Sequence, residues 1–144
     1  MAAERTAEVT WRGSLLEGEG TIERVGSGAF GPLDVTWAAR AEEQQSERTS
    51  PEELIAAAHA ACFSMALSGA LAKAGTPPER LETSATVTFV PGTGITKSAL
   101  SVRGSVPGMD DAAFAAAAED AKKNCPVSKA LAAVPEITLD ASLS

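Results

Sequence analysis

The chain is poor in the features that mark several common classes of protein. It has 12 Lys and Arg against 19 Asp and Glu, for a formal net charge of −7. Binding to a phosphate backbone requires a basic face, so we expect no nucleic acid partner. Residues 1–7 are polar and lack the apolar stretch of a secretory signal. The default expectation is therefore a cytoplasmic location.

Cysteine and histidine are scarce as well. The chain has two cysteines, Cys62 and Cys125, and no Cys-x-x-Cys motif, which disfavours a thiol–disulfide oxidoreductase. In a reducing compartment the two are either inert core thiols or a redox pair. The single histidine, His59, lies one helical turn before Cys62, so the pair could be a nucleophile with its base or two metal ligands. Because a zinc site needs two further ligands, we favour a core histidine and expect no metal.

Charge is also absent from Leu54–Ala72, within the segment Thr49–Gly75. The run Ser50–Glu53 supplies an N-cap, a proline at the first helical position and a capping-box glutamate, and Gly75 can end the helix. One long helix is predicted. Its uncharged run is long enough to span a membrane, but its commonest residue is the weakly hydrophobic alanine, so we expect no membrane partner. A helix that is apolar all round is instead buried by other elements or by a second subunit.

The rest of the chain alternates between strand and helix patterns. Period-two alternation predicts an antiparallel meander before the long helix, a hairpin after it and a last strand. These strands fall at residues 9–15, 21–25, 33–39, 84–89, 95–106 and 137–143. Asp110 is predicted to cap a helix over Asp111–Lys123, and a short helix should run from Pro126 through Ala133. The predicted class is α+β, with residues 1–144 forming a single domain.

Two connecting segments need separate interpretation. Residues 41–50 are polar and charged and are predicted to be a loop. Gly26–Gly31 formally matches the dinucleotide-binding GxGxxG motif, but a strand follows it where a helix should begin. A glycine turn is the better interpretation.

The surroundings of the two cysteines differ. With Pro126 at the first helical position, Cys125 occupies an N-cap, where free N–H groups and the helix dipole favour a thiolate. Cys62 lies deep inside the long helix, so the N-terminus of its own helix cannot activate it. A thiolate at Cys62 needs an external cation. On the residues alone, both cysteines could equally be small buried side chains.

The run Pro51–Leu67, followed by Asn124–Ser128, closely resembles the OsmC/Ohr family of thiol peroxidases. His59, where the Ohr branch usually has Tyr, makes the chain more similar to the OsmC branch. Further similar segments extend the resemblance over nearly the whole chain: Trp11, Ile95–Leu100, Val106–Gly108 and Glu136–Asp140. The resemblance implies reduction of organic hydroperoxides in the response to oxidative and osmotic stress. It also implies an intertwined homodimer with antiparallel sheets around long central helices and with active sites at the subunit interface.

The same resemblance implies four catalytic residues and no cofactor. Cys62 is the expected peroxidatic cysteine and Cys125 the resolving one, so that a Cys62 sulfenic acid becomes a Cys62–Cys125 disulfide. Arg40 is the expected activating arginine, with Arg48 as the alternative, and Glu52 is its carboxylate partner. An external dithiol must reduce the disulfide, and lipoyl groups are the reductant that the resemblance suggests.

Helix geometry bears on how Glu52 could act. Glu52 and Cys62 are roughly 15 Å apart along one helix axis and about 80° apart around it. Either a long arginine bridges them or the Glu52 in question belongs to the second subunit, which we prefer. An acid at this position could also serve only the helix dipole. The rival function is a dimeric, stress-linked protein that binds an apolar ligand, or a redox sensor without turnover.

Overall fold

The computed structural model describes residues 1–45 and 47–144. They divide into two compact units, residues 1–54 and 55–144, and the predicted single domain stays a prediction. Ser46, part of the predicted loop, lies outside the described residues.

The first unit contains a four-stranded sheet with the strand order β1-β2-β3-β4. The strands are β1 (Ala7–Arg12), β2 (Glu19–Val25), β3 (Leu33–Val35) and β4 (Arg48–Thr49). Antiparallel pairing of β1 with β2 and of β2 with β3 confirms the predicted meander. A strand, β3, rather than a helix follows the segment Gly26–Gly31. This agrees with a glycine turn and not with a dinucleotide-binding loop. The two-residue β4, which lies in the predicted loop, pairs parallel to β3.

The prediction that the third strand continues to Ala39 is wrong. Strand β3 ends at Val35, and Trp37–Ala41 forms a short helix, α1. The Thr36 hydroxyl oxygen accepts a hydrogen bond from the Ala39 N–H at 3.1 Å and caps the helix. Trp and Ala at alternate positions imitate a strand, but the alanines and arginine between them are good helix formers.

Helix α2 (Pro51–Lys73) has the predicted ends. Ser50 Oγ accepts from the Glu53 N–H at 3.2 Å. At the other end Gly75 has φ +86°, and the Thr76 N–H donates to the Leu71 carbonyl at 2.9 Å, which is the bond of a Schellman motif. The capping residues therefore define the length of this helix locally.

Only one face of α2 is buried within the chain. His59, Phe63, Leu67 and Leu71 are fully buried. The opposite face forms an exposed stripe of small residues around Met65, which is 76% exposed; we call it the α2 stripe, and it consists of Ala57, Ala61, Met65, Gly69 and Ala72. These side chains share one face because they are spaced three or four residues apart. Other elements of the chain bury only the opposite face, and burial of the α2 stripe by a second subunit stays a prediction. The helix is long and apolar enough to cross a membrane, but its large side chains pack into a protein core.

The second unit contains a three-stranded sheet with the order β5-β6-β7. Strands β5 (Arg80–Val90) and β6 (Gly94–Ser105) form the predicted hairpin, and β7 (Glu136–Leu143) pairs with β6 in parallel. The expectation of purely antiparallel sheets is wrong. The connection from β6 to β7 contains α3 (Asp111–Asn124) and α4 (Pro126–Ala130), and such a helical crossover returns the chain in the same direction.

The core of this unit lies among α2, β6 and α3. Its fully buried aromatic rings are Phe63 and Phe114. The other buried members of the core are Leu67, Leu71, Leu100, Val102, Val106, Ala118, Ala121 and Cys125. Asp110 caps α3 as predicted, its carboxylate accepting from the Ala113 N–H at 2.8 Å. The short helix α4 ends at Ala130 rather than at the predicted Ala133.

Candidate active site

The two cysteines of the chain are brought together in the second unit. Cys62 lies in the middle of α2 and is half-buried, whereas Cys125, between α3 and α4, is fully buried. Both are free thiols. The two side chains interact closely enough that each shifts the pKa of the other. The fold thus joins two thiols that are far apart in the sequence.

Cys125 occupies the N-cap of α4, with Pro126 at the first helical position. Burial disfavours its thiolate, but interactions with Cys62, with the N–H and hydroxyl of Ser128 and with the Val127 N–H outweigh burial, so the pKa of Cys125 is lowered. Free N–H groups at a helix start stabilise negative charge in this way. The pKa of Cys125 therefore lies below that of an ordinary thiol.

The pKa of the other thiol, Cys62, is shifted in the opposite direction. Burial raises the pKa of Cys62, and its interaction with Cys125 raises that pKa further, against a smaller lowering effect of the Val127 N–H. The ends of its own helix do not assist it, because Cys62 lies far from both ends of α2. A thiolate at this position needs a positive charge brought to it.

His59 is a fully buried histidine with a hydrogen bond at each ring nitrogen. Nδ1 lies 2.7 Å from Ser98 Oγ on β6, and Nε2 lies 2.8 Å from Ser128 Oγ on α4. Burial lowers the pKa of His59, which favours the neutral ring. The favoured interpretation of a core histidine is confirmed, since neither ring nitrogen is left to act on Cys62. Within residues 1–45 and 47–144, His, Cys, Asp and Glu side chains form no cluster of three that could hold a metal ion.

Arg40 and Glu52 form a partly buried ion pair in the first unit. Arg40 Nε donates to Glu52 Oε1 at 2.5 Å and to Oε2 at 3.2 Å. Glu52 is only 5% exposed, and the guanidinium carbon lies 6.0 Å from the centre of the Trp37 ring. The carboxylate and the aromatic ring together hold the guanidinium in one orientation. The alternative arginine, Arg48, is exposed on β4.

The predicted site residues thus form two pairs. Arg40 and Glu52 belong to the first unit, and Cys62 and Cys125 belong to the second. The sequence pattern did not single out Ser98 and Ser128, whose hydroxyls bond His59. A single serine has no sequence pattern that marks it as a site residue. The cluster of Ser98, His59 and Ser128 forms only when β6 and α4 come together with α2.

Comparisons with solved structures define the class of protein. An organic hydroperoxide resistance protein from Elizabethkingia anophelis shares the fold with a TM-score of 0.73 at 22% identity, with all of both chains covered. The organic hydroperoxide resistance protein OhrB of Bacillus subtilis has a TM-score of 0.62 at 25% identity, with 96% of this chain and 98% of that chain covered. The fold is that of the OsmC and Ohr proteins.

Sequence comparison defines the family within this class. The family model described as OsmC-like protein matches residues 43–140. Peroxiredoxin OsmC of Escherichia coli strain K12 is 41% identical, with 99% of each chain covered. The chain belongs to the OsmC family.

Proposed function

We propose that the protein is a thiol-dependent peroxidase that reduces organic hydroperoxides by means of Cys62 and Cys125. The observation that carries the proposal is the meeting of a half-buried thiol with a fully buried thiol of lowered pKa at the start of α4. A relative named as a peroxiredoxin and a structural neighbour named for organic hydroperoxide resistance support a peroxidase-type stress protein.

The reaction would proceed in two steps at Cys62. Its thiolate attacks the distal oxygen of the hydroperoxide, the O–O bond breaks, and an alcohol leaves once its alkoxide takes up a proton. Cys62 is then a sulfenic acid. Cys125 attacks its sulfur, the S–O bond breaks, and the products are a Cys62–Cys125 disulfide and water. The half-exposed Cys62 suits the first role and the enclosed Cys125 the second.

Arg40 is the cation proposed to activate Cys62. A guanidinium stabilises the thiolate and also the charge that grows on the departing alkoxide. Glu52, which binds Nε of Arg40 through both oxygens, would hold it in the productive orientation. Arg48 is instead exposed on β4.

A homodimer would bring this pair to the thiol of a partner subunit. Glu52 and Cys62 are separated by roughly 15 Å along α2, so we infer that the Arg40–Glu52 pair of one subunit serves Cys62 of the other. The α2 stripe supports this arrangement, because its small side chains allow a second helix to approach closely. We expect Met65→Lys to yield monomers in light scattering and to lower peroxidase activity. A monomeric variant with full activity would contradict the shared site.

The proposed reductant is an external dithiol, with lipoyl groups as the candidate, and the proposed location is the cytoplasm. No cofactor, nucleic acid or membrane partner is part of the proposal. Turnover separates it from the alternative of a dimeric apolar-ligand binder or redox sensor. Such a protein would oxidise at most once and would not consume excess hydroperoxide, and its ligand affinity should survive Cys62→Ser.

The intermediates provide a direct test. One equivalent of cumene hydroperoxide should give an intramolecular disulfide in the wild type, seen as a mass loss of two hydrogens. Cys125→Ser should instead accumulate a Cys62 sulfenic acid that dimedone traps, and Cys62→Ser should remain unmodified. A dimedone adduct on Cys125 in the Cys62→Ser variant, formed as fast as on Cys62, would overturn the assignment of the two roles.

A further inference from the structure

His59 is a buried titratable side chain that the proposed peroxidase steps leave unused. It lies between Ser98 Oγ at 2.7 Å and Ser128 Oγ at 2.8 Å. Ser128 is itself buried, and its N–H and hydroxyl are among the groups that lower the pKa of Cys125, three residues earlier in the chain. A polar chain therefore runs from Ser98 on β6 through the ring to the Ser128 hydroxyl, at the start of the helix that Cys125 caps.

The neutral ring makes the two serines unequal. A neutral imidazole has one donor and one acceptor nitrogen. If Ser98 donates its hydroxyl hydrogen to Nδ1, Nε2 carries the ring hydrogen and donates to Ser128 Oγ. The Ser128 hydroxyl hydrogen is then directed away from the ring and can be donated to Cys125. In the other tautomer, the Ser128 hydroxyl donates its hydrogen to Nε2. That hydrogen is then not available to bond the Cys125 sulfur.

Helix α4 places Ser128 correctly for this role. Cys125 is the N-cap and Pro126 is the first helical residue, so Ser128 occupies the third helical position. Ser128 is therefore three residues after Cys125, a spacing that makes two residues neighbours across one helical turn. Its hydroxyl is within one turn of the N-cap side chain and also lies 2.8 Å from His59 Nε2.

We propose that Ser128 is a catalytic residue of the resolving step and that His59, fixed by Ser98, is the positioning residue that turns the Ser128 hydroxyl toward Cys125. This inference rests on the proposed peroxidase function and deepens it. The S–S bond forms as the S–O bond of the Cys62 sulfenic acid breaks. The proton released by Cys125 ends on the departing hydroxide as water, so no further oxidant or reductant is needed.

The role predicts a selective defect in one step. In a single turnover with one equivalent of cumene hydroperoxide, sulfenic acid formation at Cys62 should keep its wild-type rate in Ser128→Ala. Disulfide formation should slow by at least about tenfold, as expected for loss of a hydrogen bond to a charged group. Ser128→Thr, which keeps the hydroxyl, is the matched control and should resolve at nearly the wild-type rate.

Ser98→Ala tests the positioning role without removing the ring. It leaves Nδ1 without its serine donor and favours the tautomer in which Ser128 donates to Nε2, so disulfide formation should slow while sulfenic acid formation does not. Wild-type disulfide formation in both Ser128→Ala and Ser98→Ala would overturn the proposal. Equal slowing of both steps would also overturn it, because a general structural defect would then be the cause.

A second measurement is independent of peroxidase activity. Thiolate absorbance at 240 nm in a Cys62→Ser background reports Cys125 alone, because Cys62, the other cysteine of the chain, has been removed. Ser128→Ala should raise the apparent pKa of Cys125, and Ser128→Thr should not. If hydroperoxide leaves the wild-type thiols untouched, the peroxidase function fails, but this titration still decides the role of Ser128: an unchanged pKa overturns it.

Discussion

Oxidation of the cysteine pair should stabilise the protein by a predictable amount. The Cys62–Cys125 disulfide would close a loop of about 60 residues, and restricting the unfolded chain in this way corresponds to about 4 kcal/mol at 25 °C. The two thiols already interact in the reduced chain; any strain in the disulfide would reduce this gain. For a chain of this length, the corresponding rise in Tm is on the order of 10 °C.

The assay is guanidinium unfolding of the reduced and oxidised protein at one fixed protein concentration, because an oligomer makes stability depend on concentration. Mass spectrometry under non-reducing conditions would verify that the bond is intramolecular. Cys125→Ser, treated identically, should show no gain. A stabilisation below about 1 kcal/mol for the fully oxidised wild type would refute the reasoning, since the native site would then be strained by the bond.

Three further outcomes are expected. Arg40→Lys keeps the charge but loses the planar fork, so hydroperoxide reduction should fall by about a hundredfold with little loss of stability; an unchanged rate would point to Arg48. Gly104→Ala places a methyl group 2.6 Å from a buried phenylalanine ring and should cost about 1–3 kcal/mol in urea unfolding, whereas an unchanged midpoint would contradict the described packing. Burial holds the pKa of His59 below the ordinary 6.5, so the unfolded chain takes up a proton first as pH falls. Stability that is fully present above about pH 6.5 should therefore decline as the pH falls below that value, and His59→Gln should remove this part of the decline.

The long helix and the start of α4 could be predicted because their signals are local. Ser50 and Gly75 act within one turn of the helix ends that they define. Pro126 marks the first residue of α4 in the same way, which places Cys125 at the N-cap. Residues that act on their immediate neighbours can be interpreted without knowledge of the fold.

Most of the features that escaped prediction depend on distant partners. Helix α1 is the exception: alternation at Trp37 and Ala39 suits a strand as well as a short helix, and the local cap at Thr36 favours the helix. The direction of β7 depends on the crossover through α3 and α4 rather than on its own residues. The hydroxyls around His59 come from two separate elements, and no spacing in the chain indicates them.

Catalytic consumption of hydroperoxide is the most direct test of the proposed peroxidase function. Purified protein would be supplied with a dithiol and excess cumene hydroperoxide, with hydrogen peroxide in a parallel reaction, for the wild type, Cys62→Ser and Cys125→Ser. We expect rapid loss of the organic hydroperoxide over many turnovers, and Cys62→Ser should abolish this loss. Equal inertness of the wild type and Cys62→Ser, with both thiols unreactive toward alkylation in the folded protein, would contradict it and would favour a binding protein with two core cysteines.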